Sequence, residues 1–150
     1  MENEAEYINI PIIVDACVAI KWFFAEDYNE KAYSLLQNCF MIGVPYFFLL
    51  EFSNFLLRKR RKEEISQSIS DETNRILLEY IDCFYPDNHL IVRAIRLSNE
   101  INHSPYDCLY LACSEHYNIP LITADHDFYK HVKKSAYARL IYWMEEPPMP

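Results

Sequence analysis

One glycine in 150 residues, Gly43, is the strongest restriction on what this chain can fold into. Glycine supplies the positive φ of tight turns and lets a backbone close on a phosphate. The chain therefore carries neither the P-loop nor the dinucleotide glycine pattern, and nucleotide-cofactor folds of that kind are disfavoured. Turns fall instead to Asn, Asp and Pro, as at Tyr85-Pro86-Asp87-Asn88 and Tyr117-Asn118-Ile119-Pro120.

Between such turns the apolar residues group into short runs and longer helical patterns. Ile8 to Val14 reads as a β-branched strand buried on both faces and ended by Asp15. Helical periodicity follows over Val18 to Phe24, about Tyr28 to Phe40, and Phe47 through the basic run, leaving Ile42-Gly43-Val44-Pro45 as a very short strand. Ser66 to Phe84 predicts an amphipathic helix, with Ile69, Ile76, Leu77, Tyr80 and Phe84 on one face. Another helix spans His89 to Ile101, and Ser104-Pro105 opens the next with a cap residue and a proline in first position. Leu121-Ile122-Thr123 and Arg139 to Trp143 complete the strands. Pro147-Pro148-Met149-Pro150 cannot extend a helix, so residues 145–150 are expected to be a loose tail. Short strands alternating with longer helices predict one α/β domain over 1–150 around a mostly parallel sheet. Sites in such sheets form at the carboxyl ends of the strands, where Asp15 and Asp125 stand.

A composition of 51% hydrophobic and 15% aromatic residues suffices for one packed core. No 18-residue apolar stretch is free of charge, and the start MENEAEYINI lacks the basic and apolar regions of a signal peptide, so the expectation is a soluble cytoplasmic protein without a membrane partner. Cys17, Cys39, Cys83, Cys108 and Cys113 are odd in number, form no CxxC pair and read as small buried hydrophobes. A net charge of -8 argues against a broad basic nucleic-acid surface. Arg58, Lys59, Arg60, Arg61 and Lys62 are a local exception, readable equally as a phosphate-contacting patch or as a solvated helix end.

Four acidic residues, Asp15, Glu51, Asp107 and Asp125, sit at the ends of or inside apolar runs, where an ionised carboxylate must be paired or neutralised. Asp15 and Asp125 are readable as helix N-caps, and Asp107 completes a capping-box pattern with Ser104. Glu51 has no such alternative, since it lies well inside one helical pattern among Phe47, Phe48, Leu50, Phe52 and Phe55. At roughly 100° per residue, Glu51, Asn54, Arg58 and Lys62 fall within an arc of about 80° on that helix. Such a stripe is either an ordinary solvent face or the lining of a cleft. If the carboxylates converge, their repulsion raises some pKa values unless a divalent cation neutralises them. Oxygen-only ligation favours Mg²⁺ or Mn²⁺ over zinc, and such an ion can orient a water for attack on a phosphodiester. His126 and His131 lack a metal-helix spacing and read as surface or supporting residues, and Ser53 and Ser114 lack a serine-hydrolase setting. Tyr106, Tyr110 and Tyr117, at helical spacing, read as core rather than as base-stacking platforms.

These residues, in this order, resemble the PIN-domain nucleases and among them the VapC-type toxin ribonucleases. The pieces are Ile13-Val14-Asp15-Ala16, then Val44-Pro45 leading to Glu51-Phe52-Ser53-Asn54-Phe55-Leu56, then Tyr106-Asp107-Cys108-Leu109-Tyr110-Leu111-Ala112, then Leu121-Ile122-Thr123-Ala124-Asp125. The resemblance implies a three-layer α/β/α PIN-like fold in which Asp15, Glu51, Asp107 and Asp125 surround Mg²⁺ or Mn²⁺, with Asp127 as an accessory acid. It implies an endoribonuclease, the toxin of a toxin-antitoxin pair, dimeric and silenced by a small antitoxin protein. Asn54 and Thr123 would then hold the site by hydrogen bonds, and Arg58 and Lys62 would steer RNA phosphates. Cys17 departs from the Ser or Thr common in the family, and a thiol is the poorer hydrogen-bond partner. The net acidity and Cys17 suit an alternative, a PIN-like scaffold that binds RNA or protein without cutting. A receiver-like phosphoacceptor at Asp15 ranks below both, because no adjacent acidic pair precedes that residue.

Overall fold

The computed structural model describes residues 9–24, 27 and 29–149. Among them five strands form one sheet: β1 (Ile10–Val14), β2 (Phe40–Pro45), β3 (Cys83–Tyr85), β4 (Leu121–Thr123) and β5 (Ile141–Trp143). The order is β3-β2-β1-β4-β5, and every neighbouring pair is parallel. Chain order therefore runs outward from β1 to one edge and then, from β4, to the other. The helices are α1 (Ala16–Ile20), α2 (Asn29–Gln37), α3 (Phe47–Arg61), α4 (Gln67–Tyr80), α5 (Ile91–Ile101), α6 (Pro105–Tyr117) and α7 (His126–Lys133). Right-handed crossovers in a sheet of this order put α1 to α4 on one face and α5 to α7 on the other. The packed pairs α1 with α3, α3 with α4 and α5 with α6 match that division. The result is the three-layer α/β/α arrangement. Ile12, Ile13 and Val14 on the central strand are fully buried, which is why this run shows no polar alternation.

Several element boundaries differ from the sequence expectation. The helix expected over 28–40 ends at Gln37, and Phe40 and Met41 join β2 by pairing with Ile10 and Pro11. The helix expected over 66–84 is capped by Ser66, whose hydroxyl accepts the Ile69 N–H at 3.1 Å, but it ends at Tyr80. Cys83 to Tyr85 is then an edge strand against Gly43 to Pro45. Asp82 makes the switch, its N–H donating to the Ile42 carbonyl at 2.8 Å and its carboxylate accepting the Ile42 N–H at 2.7 Å. Helical spacing of Tyr80 and Phe84 could not reveal this, because the competing bonds come from β2. The final strand starts at Ile141, after a 3₁₀ turn over Ala138–Leu140. Ile8, Tyr28 and Pro150, at the limits of expected elements, lie outside the described residues.

Gly43 has no positive φ. A Cβ there would stand 2.3 Å from Cε2 of Tyr85, so the position is glycine to let β3's aromatic ring lie against β2. Positive φ falls instead on Glu63, Asn102 and Asn118, the two asparagines ending α5 and α6 in the left-handed conformation. All five cysteines are free, with Cys108 and Cys113 buried. No helix among the described residues is long and apolar enough to cross a membrane.

Candidate active site

The sheet reverses its winding between β1 and β4, and an aspartate follows the carboxyl end of each strand within two residues. Asp15 follows β1 and caps α1, one carboxylate oxygen accepting the Val18 N–H at 3.1 Å. The other oxygen accepts the hydroxyl of Thr123, the buried last residue of β4. The same hydroxyl oxygen accepts the Asp125 N–H at 3.0 Å, and Asp125 caps α7 by accepting the Phe128 N–H at 2.9 Å. Both aspartates are thus helix caps, and Thr123 ties them together at the switch point.

Asp107 occupies the third position of α6, but no capping box forms. The Ser104 hydroxyl accepts the Tyr106 N–H at 3.2 Å, while Asp107 Oδ2 lies 2.9 Å from His103 Nε2. Glu51, on the second turn of α3, completes the group from the opposite helical layer.

Electrostatics show that the four carboxylates share one environment. Asp15 is 5% exposed, and its carboxyl is pushed up to about 7, chiefly by burial, against the Thr123 and Val18 bonds and with the help of Glu51 and Asp107. Glu51 also rises to about 7, through burial first and then Asp107 and Asp125, tempered by Tyr110 and Arg58. Burial and Asp125 raise Asp107, with His103 opposing. The Cys17 thiol is driven far up by Asp15, then by burial, Asp125, Glu51 and Asp107, so it sits among all four as a neutral thiol. The deeply buried Tyr110 hydroxyl makes no hydrogen bond of full geometry but lies near enough to Glu51 to lower that carboxyl, while burial and then Glu51, Asp15, Cys17 and Asp107 push its own pKa well above the ordinary tyrosine value. A crowd of carboxylate oxygens held partly neutral is the donor set a hard divalent cation satisfies.

Beside the carboxylates lies a cavity of about 550 Å³ lined by Phe47, Leu50, Glu51, Asn54, Arg58, Tyr106 and Asp107. The polar stripe of α3 is therefore a cleft lining. Asn54 and Arg58 stand exposed on its wall, and Lys62 lies a turn further, beside a smaller cavity that Arg58 also lines. Lys59 is committed elsewhere, paired with Glu64 and set over the Phe24 and Phe55 rings. Asp127 is 74% exposed, with its carboxylate between His103 and His131. Tyr106 corrects the sequence reading: it is 65% exposed, not core, and its ring stacks on Phe47 at 5.7 Å. Tyr110 is buried as expected, although its polar end faces the site. Tyr117 packs against Tyr85. His103 escaped the sequence reading altogether; the signal available was its spacing, four residues before Asp107 as Tyr110 is three after it.

A family model described as PIN domain matches residues 12–134. The chain belongs to the PIN-domain family. PIN domains are generally nucleases, and the acidic cluster described above lies within the matched span of this one. Among solved structures, the PIN-domain chain is similar to PAE2754 from Pyrobaculum aerophilum, with TM-score 0.67 and 15% identity over 97% of this chain and 94% of that one. A toxin-antitoxin complex from Klebsiella pneumoniae gives TM-score 0.63 and 15% identity, over 91% of this chain and 99% of that one. VapC20 of Mycobacterium tuberculosis, described as a sarcin-ricin loop cleaving toxin, gives 0.62 and 18%, over 78% and 92%. These likenesses show the fold. No match was found among curated proteins.

Proposed function

We propose that this PIN-domain protein, one domain over residues 1–150, is a Mg²⁺- or Mn²⁺-dependent endoribonuclease of the VapC type that acts in the cytoplasm. The observation that carries the reading is the convergence of four carboxylates from both helical layers on the switch point, opening onto a groove with a cationic wall. The similarity in fold to a sarcin-ricin loop cleaving toxin and to a toxin-antitoxin complex supports RNA as substrate and a small antitoxin as partner. A homodimer is part of the same proposal.

Asp15, Glu51, Asp107 and Asp125 would hold the ion, with Asp127 at the rim. When bound, the ion supplies a nucleophilic water at neutral pH and charge stabilisation at the phosphorus and leaving oxygen. The chain's own residues do the rest. Thr123 orients Asp15 and Asp125 through one hydroxyl, and His103 fixes Asp107. Asp15 and Glu51, both pushed up to about 7, would stand as carboxylates beside a bound cation. The Tyr110 hydroxyl would donate to a Glu51 oxygen once that carboxyl is charged. Arg58 and Lys62 bind phosphates flanking the scissile bond, Asn54 offers a hydrogen-bonding amide on the same wall, and Tyr106 presents an open aromatic face for an unpaired base.

RNA cleavage assayed with Mn²⁺, with EDTA, and with Asp15→Asn and Asp107→Asn tests this. Chelation and each substitution should lower the rate by about two orders of magnitude or more, the scale on which removing a charge-stabilising group acts. Cleavage that survives both refutes the mechanism. Cys17 among the carboxylates favours one other reading, a domain that binds RNA without cutting. RNA retention by an inactive wild type would select it.

A further inference from the structure

At the rim of the carboxylate cluster, one ring nitrogen of His103, one of His131 and a carboxylate oxygen of Asp127 lie within 4.8 Å of one another, and His103 also comes within that distance of Asp107 and Asp125. We propose that His103, Asp127 and His131 form a second metal site, selective for a borderline transition ion such as Zn²⁺, that steadies Asp107 through His103.

The hydrogen bonds already present engage one nitrogen of each ring. His103 Nε2 is taken up by the Asp107 carboxylate at 2.9 Å, which leaves Nδ1 as the ring nitrogen nearer Asp127. Nδ1 lies 3.8 Å from Asp127 Oδ2, a gap that a metal ion would bridge. His131 Nδ1 lies 2.8 Å from the Asp127 carbonyl, which can only accept, so the proton sits on Nδ1 and Nε2 is free to ligate. Metal-binding histidines characteristically give their other N–H to a carboxylate or backbone carbonyl, and these two make one bond of each kind.

The spacing is close to what an ion requires. Tetrahedral zinc with bonds of about 2.0–2.1 Å holds its donors about 3.3 Å apart. The His103 Nδ1–Asp127 Oδ2 approach is already 3.8 Å, and the exposed Asp127 side chain has room to close the difference and to turn toward His131. The His103 ring, 11% exposed, is held by stacking on Phe128 at 5.0 Å, and the His131 ring stands 5.1 Å away. Asp127 and His131 occupy successive turns of one face of α7, while His103 arrives from the turn before α6. An ion would therefore join two elements on which Asp125 and Asp107 ride. Two imidazoles and one carboxylate suit Zn²⁺, Co²⁺ or Ni²⁺, whereas the oxygen-only cluster beside them suits Mg²⁺.

Titration of the full chain with Co²⁺, read by visible absorption and reversed by Zn²⁺, tests the site in excess Mg²⁺, which keeps the carboxylate cluster filled. We expect one equivalent of Co²⁺ to bind at micromolar concentration. His131→Ala and Asp127→Asn, both at the surface, should each weaken it at least tenfold, and Glu51→Gln should leave it unchanged. Binding unaltered in both surface variants overturns the proposal. So does loss in Glu51→Gln, which would put the ion in the carboxylate cluster, or binding only at millimolar Co²⁺. None of these readouts depends on RNA cleavage, so the nuclease reading and this one fail separately.

Discussion

Asp15 offers a direct measure of the electrostatic stress at the site. Its carboxyl titrates near 7 in the folded, metal-free protein against 3.8 for an unperturbed aspartate. A folded-state pKa raised above the unfolded one means that the native state binds the proton more tightly. Stability is therefore greatest below pH 3.8 and is lost as pH climbs through about 7. Three units at 1.36 kcal/mol each make that loss about 4 kcal/mol at pH 8. Asp15→Asn removes the titration, keeps an oxygen for the Val18 N–H, and leaves the Thr123 hydroxyl without its charged acceptor, a change of about 1–2 kcal/mol in the other direction. The variant should be more stable than the wild type by about 2–3 kcal/mol at pH 8 in EDTA. For a chain of this size that is roughly 5–10 °C in Tm. At pH 4 the sign should reverse, the variant falling about 1 kcal/mol below the wild type, and saturating Mg²⁺ should narrow the gap at pH 8, because an ion at a hundred times its Kd adds about 2.7 kcal/mol to the wild type. Calorimetry at both pH values, with and without Mg²⁺, decides the matter. A variant less stable than wild type at pH 8 in EDTA, or a difference that does not change with pH, would show that Asp15 is not held out of its ionised form.

Arg58→Ala with Lys62→Ala should weaken RNA binding and reduce the slope of log K against log salt by about 1.4, or about 0.7 for each phosphate contact on a single strand; an unchanged slope removes the groove wall from RNA binding. Tyr106→Ala should lower affinity for an unpaired oligonucleotide about tenfold in a fluorescence titration while Tyr106→Phe retains it, and equal loss in both would tie the effect to the hydroxyl rather than to stacking. Gly43→Ala should destabilise by about 1–3 kcal/mol through overpacking against the Tyr85 ring. In a double-mutant cycle with Tyr85→Ala the two losses should fall short of additive, and additivity would contradict the contact.

The elements that could be read locally were those whose signals are local. Ser104 and Pro105 marked the start of α6 and the turn at Asn118 its end, and the β-branched run Ile8 to Val14 marked a strand buried on both faces, found as β1 from Ile10, because caps, turns and double-faced burial each leave their mark on a few adjacent residues. Strand β3 was not legible, since Asp82 ends α4 by bonding to Ile42, forty residues away. Tyr106 and Tyr110 show the same limit at the site. They have like character and sit four apart on one helix, yet one lies open beside Phe47 and the other is buried with its hydroxyl toward the carboxylates.

By itself the sequence determined that this chain builds short parallel strands between helices and spends its carboxylates at strand ends and on one stripe of α3. It also determined that residues other than glycine, as the two asparagines that end α5 and α6 do, must take the positive φ angles. Only the tertiary structure decided that Asp15 and Asp125 are both caps and partners of one threonine, that Asp107 answers to His103 rather than to a capping box, and that Asp127 turns to two histidines. The same holds for the single glycine, which is needed for the approach of Tyr85 rather than for a turn. The physical reason is common to all of these. Backbone propensity is set within a few residues, whereas desolvation, charge repulsion and steric contact depend on neighbours that only the folded sheet brings together.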